Sequence, residues 1–146
     1  MTTQILFIRH GETDWNRIKR IQGHIDMPLA AVGLAQAQSL ARRIADEVKH
    51  GARLDAIYSS DLQRARQTAQ PFADALGLPV HLREGLRERS YGAFQGHDSD
   101  EIAARFDQAE REFGAQSVWP YYYAGTMGLV MRDGINRLAH VKKYSR

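Results

Sequence analysis

No cysteine occurs among the 146 residues. Disulfides, thiol nucleophiles and cysteine-ligated zinc are therefore excluded, and a reducing compartment is the expected setting. The N-terminus lacks a basic segment followed by an apolar stretch, and no apolar run approaches the ~20 residues that a membrane helix needs. No membrane contact is expected, and the cytoplasm is the expected location. Proline is scarce, at four residues, and no repeat or low-complexity linker divides the chain. An excess of one charge is also missing over most of the length. Residues 1–116 carry 15 Lys and Arg against 16 Asp and Glu, while residues 117–146 carry 5 against 1, so the net charge of +3 resides in the tail. Binding along a nucleic-acid backbone needs a broad basic face, and this distribution does not supply one. Arginines concentrated in a few short motifs suit a small anion better.

What is present is ordinary for a globular protein: 43% hydrophobic and 25% charged residues in a chain long enough for one domain with a core. Ile5-Leu6-Phe7-Ile8 reads as a strand buried on both faces, ending in the sharp turn Arg9-His10-Gly11. A polar loop over residues 11–30 follows. Leu34, Ala37, Leu40, Ala41, Ile44, Ala45 and Val48 then fall on one face of a helix, which Gly51 closes. Leu54–Tyr58 reads as a second strand, with Ser59-Ser60-Asp61 able to cap the next helix. That helix buries Leu62, Ala65, Ala69, Phe72, Ala73 and Leu76, is expected to bend at Pro71, and ends at Gly77. Leu78–Leu82 is a candidate third strand, and a last helix is expected from Asp98 to Phe113, opening on an Asp-x-x-Glu pair that resembles a capping box.

Strands alternating with helices predict an α/β fold, a three-layer sandwich whose largely parallel sheet is flanked by helices. Ligands of such sheets bind beyond the carboxyl ends of the strands. The Arg9-His10-Gly11 and Ser59-Ser60-Asp61 turns both lie at such ends, so they are expected to converge. For the Arg-His-Gly triplet alone, a strand end whose histidine caps a neighbour explains the residues as well as a phosphate site does. Arginine supplies a planar fork of donors for an anion, and a histidine nitrogen can attack phosphorus.

Three motifs decide between these readings. They are Arg9-His10-Gly11-Glu12-Thr13-Asp14-Trp15-Asn16, continuing to Gln22-Gly23; Ser59-Ser60-Asp61-Leu62-Gln63-Arg64-Ala65-Arg66-Gln67-Thr68-Ala69; and Leu86-Arg87-Glu88-Arg89-Ser90-Tyr91-Gly92-Ala93-Phe94-Gln95-Gly96. In this order and spacing the chain resembles the histidine phosphatase superfamily, phosphoglycerate mutase-like branch, over residues 4–114. The resemblance implies that His10 is the nucleophile forming a phosphohistidine, that Arg9 and Arg64 clamp the phosphate, and that Glu88 is the general acid. Partial burial of Glu88 would raise its pKa for that task. Gly11, Glu12, Thr13, Asp14, Trp15, Asn16, Gln22, Gly23, Arg66, Arg89 and Tyr91 match substrate-binding positions, although Trp15 reads as core before site and Arg66 as a substrate-rim residue or solvated charge before a third clamp. The implied partner is a small phosphorylated metabolite. No metal is expected, because His24, His50, His81 and His97 lack ligand spacing and read as loop or surface residues. No cofactor is expected of a phosphatase, whereas a mutase needs a 2,3-bisphosphoglycerate primer; a homodimer is compatible with either.

One family feature is missing. Members carry a second catalytic histidine in a His-Gly pair after a late apolar strand, and here the only late candidate, His140, is followed by Val141. The composition also changes near Gln116, where Trp119-Pro120-Tyr121-Tyr122-Tyr123 begins. The expectation is a partial, C-terminally truncated domain over residues 1–116 and an unmatched basic, aromatic-rich tail over 117–146. A phosphomonoesterase, a mutase and a phosphate-binding protein without turnover all remain open on this reading.

Overall fold

Residues 4–117 are described by a computed structural model. In chain order they form α1 (Asp14–Arg17), α2 (Ala31–Lys49), β1 (Ile57–Ser59), α3 (Gln63–Leu76), β2 (Val80–Leu82) and α4 (Ser99–Phe113). Short 3-10 turns occur at Glu84–Leu86, Gly92–Phe94 and Ala115–Ser117. The chain divides into two compact units, Met1–Asp98 and Ser99–Arg146. The compositional change near Gln116 therefore lies inside the second unit, and residues 118–146, with His140, lie outside the described residues.

In the first unit α2 buries Gly33, Ala37, Ala41 and Ile44, a stripe at helical spacing. Leu40 packs against the core from the side of that stripe, while Leu34 is exposed. The chain passes from β1 through α3 to β2, and the two strands pair in parallel with Ile57 opposite Val80, Tyr58 opposite His81 and Ser59 opposite Leu82. The βαβ unit read from the sequence is thus present, with shorter strands than the apolar runs suggested. Ala41, Ile44, Ile57, Ala69, Phe72 and Ala73 form the core between α2, α3 and the sheet. α3 is one helix through Pro71 and ends on Gly77 in the left-handed conformation, φ 64°. Helices flank a parallel sheet, as the expected α/β class requires.

Two local expectations are corrected. Ile5–Ile8 is not a strand and is not buried: Ile5 is 70% exposed and Phe7 87%. Among the described residues the sheet has two strands, β1 and β2, so this apolar segment lacks the ladder of backbone hydrogen bonds that would make it a third. It lines one wall of a cleft of about 960 Å³, with Ile57 and Tyr58 of β1 and Phe72 of α3 among the other lining residues. The second correction concerns the start of α3. Its N-cap is Leu62, without a side-chain cap, and the Gln63 amide donates instead to Asp26 Oδ1 at 2.6 Å. Asp61 is unavailable because the Arg87 guanidinium grips both its carboxylate oxygens.

The second unit is described only over α4 and the turn after it. α4 carries Asp100 and Glu101 in its first turn and Arg111 in its last, the placement that favours the helix dipole.

Candidate active site

The segment after His10 is folded by its own side chains. Thr13 caps α1 in a reciprocal capping box: the Asn16 amide donates to Thr13 Oγ1 at 3.2 Å, and the Thr13 amide donates to Asn16 Oδ1 at 2.9 Å. Thr13 is fully buried, with its hydroxyl 3.0 Å from Oε1 of the buried Gln22. Of the residues matched to substrate positions by sequence, Thr13 is bonded here to both Asn16 and Gln22. α1, a single turn inside what read as a loop, is the visible result. Asp14 is exposed and pairs with Arg17 at 3.0 Å.

Gly11 is buried against α2. A Cβ on Gly11 would lie 2.6 Å from the Gly33 carbonyl oxygen, and one on Gly33 would lie 2.1 Å from that of Glu12. The two glycines therefore let α2 reach the turn that carries His10. Gly23, at φ 55°, serves a similar purpose. A side chain there would strike Gln95 Oε1, which accepts from the His24 amide at 2.6 Å. The close approach expected at Gly23 is made by Gln95 from the third motif. At Gly96, φ 84°, a side chain would meet Ile25 and the Trp15 ring at 3.6 and 3.7 Å. The half-buried Trp15 thus packs beside the end of the third motif.

Arg9, His10, Arg64, Glu88 and Arg89 all line the same cleft, so the structure brings together residues from all three motifs. His10 is half-buried, and its Nδ1 lies 2.7 Å from the Gly11 carbonyl oxygen. A carbonyl oxygen can only accept, so this bond requires the proton on Nδ1 and leaves the lone pair of the neutral ring on Nε2. Burial pushes the His10 pKa below the ordinary histidine value, and Arg64 and Arg9 add to that; the Gly11 bond and Glu88 oppose it. A neutral imidazole with a free Nε2 is the form a nucleophile needs.

Arg64 is 3% exposed and spends two of its donors on the neighbouring loop, Nη2 to the Gly23 carbonyl at 2.7 Å and Nη1 to that of Ile25 at 3.0 Å. Burial lowers its pKa, with Asp26 and Glu88 opposing. Five N–H groups are available on a guanidinium, so three remain beyond the two loop bonds. The residue joins the 20s loop to α3 as well as facing the cleft.

Glu88 is exposed, which corrects the expected partial burial, and none of residues 84–90 is buried. Its Oε1 accepts from the Arg89 amide at 3.1 Å, and its carbonyl accepts from His24 Nε2 at 2.7 Å. The Arg87–Asp61 pair ties this segment to the turn before α3 and holds the Asp61 carboxyl below the usual carboxylate range. Arg89 stacks over the Tyr91 ring at 4.6 Å. Arg66 is exposed on α3 outside the cleft lining, close enough to Asp61 to favour its charge. Among the described residues no group of three or more His, Asp or Glu is placed to hold a metal ion, and no described helix is long and apolar enough to cross a membrane.

Sequence reasoning missed the residues that brace these groups: Gln36, Thr68, His24, Asp26 and Gln95. Thr68 and Gln95 stood inside quoted motifs, and Gln36 lies three residues beyond Gly33 on the face turned to the His10 loop. A helical projection from Gly33 is the signal that could have found it.

A model of the histidine phosphatase superfamily, branch 1, matches residues 5–142 and so reaches into the tail that the three motifs leave unmatched. Phosphoglycerate mutase-like protein 4 of Arabidopsis thaliana is 41% identical over 113 residues, covering 77% of this chain and 47% of that protein. A mycobacterial glucosyl-3-phosphoglycerate phosphatase, solved with VO3, is similar at TM-score 0.61 and 33% identity, covering 75% of this chain and 50% of that one. Phosphoserine phosphatase of Entamoeba histolytica, solved with 3-phosphoglyceric acid, gives TM-score 0.57 and 31% identity over 90% of this chain and 63% of that one. The chain spans about half the length of the curated relatives it matches. A cleft where His10 and two arginines meet Glu88, and a family match along nearly the whole sequence, lead to one conclusion: this chain belongs to the histidine phosphatase superfamily.

Proposed function

We propose that the chain carries out phosphoryl transfer on small phosphorylated metabolites through a phosphohistidine at His10, with water as the final acceptor. The observation that carries this reading is the state of His10, whose Nδ1 is held by the Gly11 carbonyl so that Nε2 offers its lone pair in a cleft shared with Arg9 and Arg64. Nε2 attacks phosphorus, the bond from phosphorus to the ester oxygen breaks, and Glu88 gives that oxygen its proton. Water then attacks the phosphorus of the phosphohistidine and loses a proton to the Glu88 carboxylate, the bond from phosphorus to Nε2 breaks with its electron pair returning to the ring, and inorganic phosphate leaves. Arg9 and the remaining donors of Arg64 hold the equatorial oxygens while charge shifts between them.

Support for this substrate class comes from the relatives, which are named for phosphoglycerate and phosphoserine and one of which is solved with 3-phosphoglyceric acid. A mutase reading differs in its acceptor and needs a 2,3-bisphosphoglycerate primer. A second reading, phosphate binding without turnover, draws on two observations: Glu88 is exposed, and Arg64 has committed two donors to the loop. Acid-quench labelling with 32P-labelled 3-phosphoglycerate, phosphoserine and 4-nitrophenyl phosphate decides. The proposal requires an acid-labile label, absent from His10→Ala, that turns over with release of inorganic phosphate without any primer. Saturable phosphate binding with no label overturns it in favour of the binding protein, and label that turns over only with primer favours the mutase.

A further inference from the structure

The two peptide groups flanking Gly11 are held from two different helices. The His10–Gly11 peptide donates its N–H to Thr68 Oγ1 of α3 at 3.0 Å, and the Thr68 hydroxyl proton goes to the Arg64 carbonyl at 2.7 Å. The Gly11–Glu12 peptide donates its N–H to Gln36 Oε1 of α2 at 2.9 Å. That same peptide supplies the carbonyl facing His10 Nδ1. Turning either peptide would break a bond to a helix. The missing side chain at Gly33 is what brings α2 close enough, since a Cβ there would meet the Glu12 carbonyl oxygen at 2.1 Å.

An imidazole chooses its tautomer by the partner its nitrogens find. A carbonyl fixed opposite Nδ1 stabilises the Nδ1–H form, and only while that carbonyl stays aimed. We propose that Gln36 and Thr68 are positioning residues that fix the Gly11 peptides and so lock His10 in the Nδ1–H tautomer, reserving Nε2 for phosphorus. The use made of Nε2 rests on the phosphoryl-transfer reading; the tautomer lock does not. Gln36 is exposed, so losing its side chain leaves the core intact. Thr68 is buried, and its hydroxyl is both donor and acceptor in the chain of bonds from Arg64 to Gly11.

The test is two-bond 1H–15N NMR of the histidine rings in the full 146-residue chain above pH 7, with His10→Ala to assign the signals. Wild type is expected to show a protonated Nδ1 and an unprotonated Nε2 at His10. Gln36→Leu and Thr68→Val should each shift the tautomer ratio by up to about tenfold, the weight of one net hydrogen bond. Gln36→Glu keeps an acceptor and Thr68→Ser keeps the hydroxyl, so both should restore the wild-type ratio. A His10 protonated on Nε2 in wild type overturns the inference, as does an unchanged ratio in a natively folded Gln36→Leu. If circular dichroism shows that Thr68→Val does not fold, Gln36→Leu and its rescue by glutamate decide alone. Labelling by 32P-labelled 4-nitrophenyl phosphate, run on the same samples, separates the two ideas. A Gln36-dependent tautomer without label supports the lock while removing the transfer reading, and label with an insensitive tautomer does the reverse.

Discussion

Burial and two guanidinium groups disfavour the imidazolium form of His10, and that has consequences for pH. The unfolded chain takes up this proton near pH 6.5, whereas the folded chain resists it. Between those two points the unfolded state binds more protons, so stability falls as the pH drops below about 6.5 and levels off once the folded His10 is protonated too. Urea titrations between pH 7.5 and 4.5 should show this loss, and His10→Asn should lack that part of the slope. Phosphohistidine formation should persist to more acidic pH than an ordinary histidine would allow. At Gly33 the expectation is steric. Gly33→Ala puts a methyl group 2.1 Å from the Glu12 carbonyl oxygen, so the loop or the helix has to shift, at a cost of about 1–3 kcal/mol, and thermal denaturation should show a lower Tm. That His10, Arg9, Arg64 and Glu88 share one cleft was legible in the sequence, because each sits in a motif of fixed order. Their environments were not: the exposure of Glu88 and the loop bonds of Arg64 depend on residues tens of positions away, such as Gly23 and Ile25.

Among the elements, α3 shows how a helix can start without a local cap. Asp26 lies 37 residues upstream, yet its carboxylate accepts from both the Gln63 amide and the Gln63 side chain. Asp26→Ala should therefore destabilise the first turn of α3 by about 1 kcal/mol, as removing an N-cap does, and loosen the loop that Arg64 holds. Urea denaturation measures the first effect, and amide exchange at Gln63 and Arg64 the second. The helices were readable because their evidence is local: the stripe of Ala37, Ala41 and Ile44 and the stop at Gly77 need no knowledge of the rest. Ile5–Ile8 was misread for the opposite reason. Four apolar residues favour a strand, but a strand exists only when a neighbour supplies its hydrogen bonds, and that information is not in the segment. Asp61 misled similarly, since its cap role yielded to a charge-assisted fork from Arg87, 26 positions on.

At the scale of the molecule, the apolar wall formed by Ile5, Leu6 and Phe7 stands exposed in the cleft that β1 also lines. Surfaces of this kind drive association. Sedimentation of the wild-type chain should show concentration-dependent self-association, and Phe7→Asp, changing a residue 87% exposed, should reduce it without loss of helix content. Unchanged sedimentation in that variant would remove the segment from any account of assembly. The fold class was legible because alternating strands and helices leave few arrangements; the cleft was not, since it arises from what fails to pair. Trp15 adds a practical consequence. Its indole lies against the Gly96 turn at the end of the segment that carries Glu88, and the chain has just two tryptophans. With Trp119→Phe in place, its emission colour becomes an optical gauge of whether that segment is seated, readable in solution without attaching any dye.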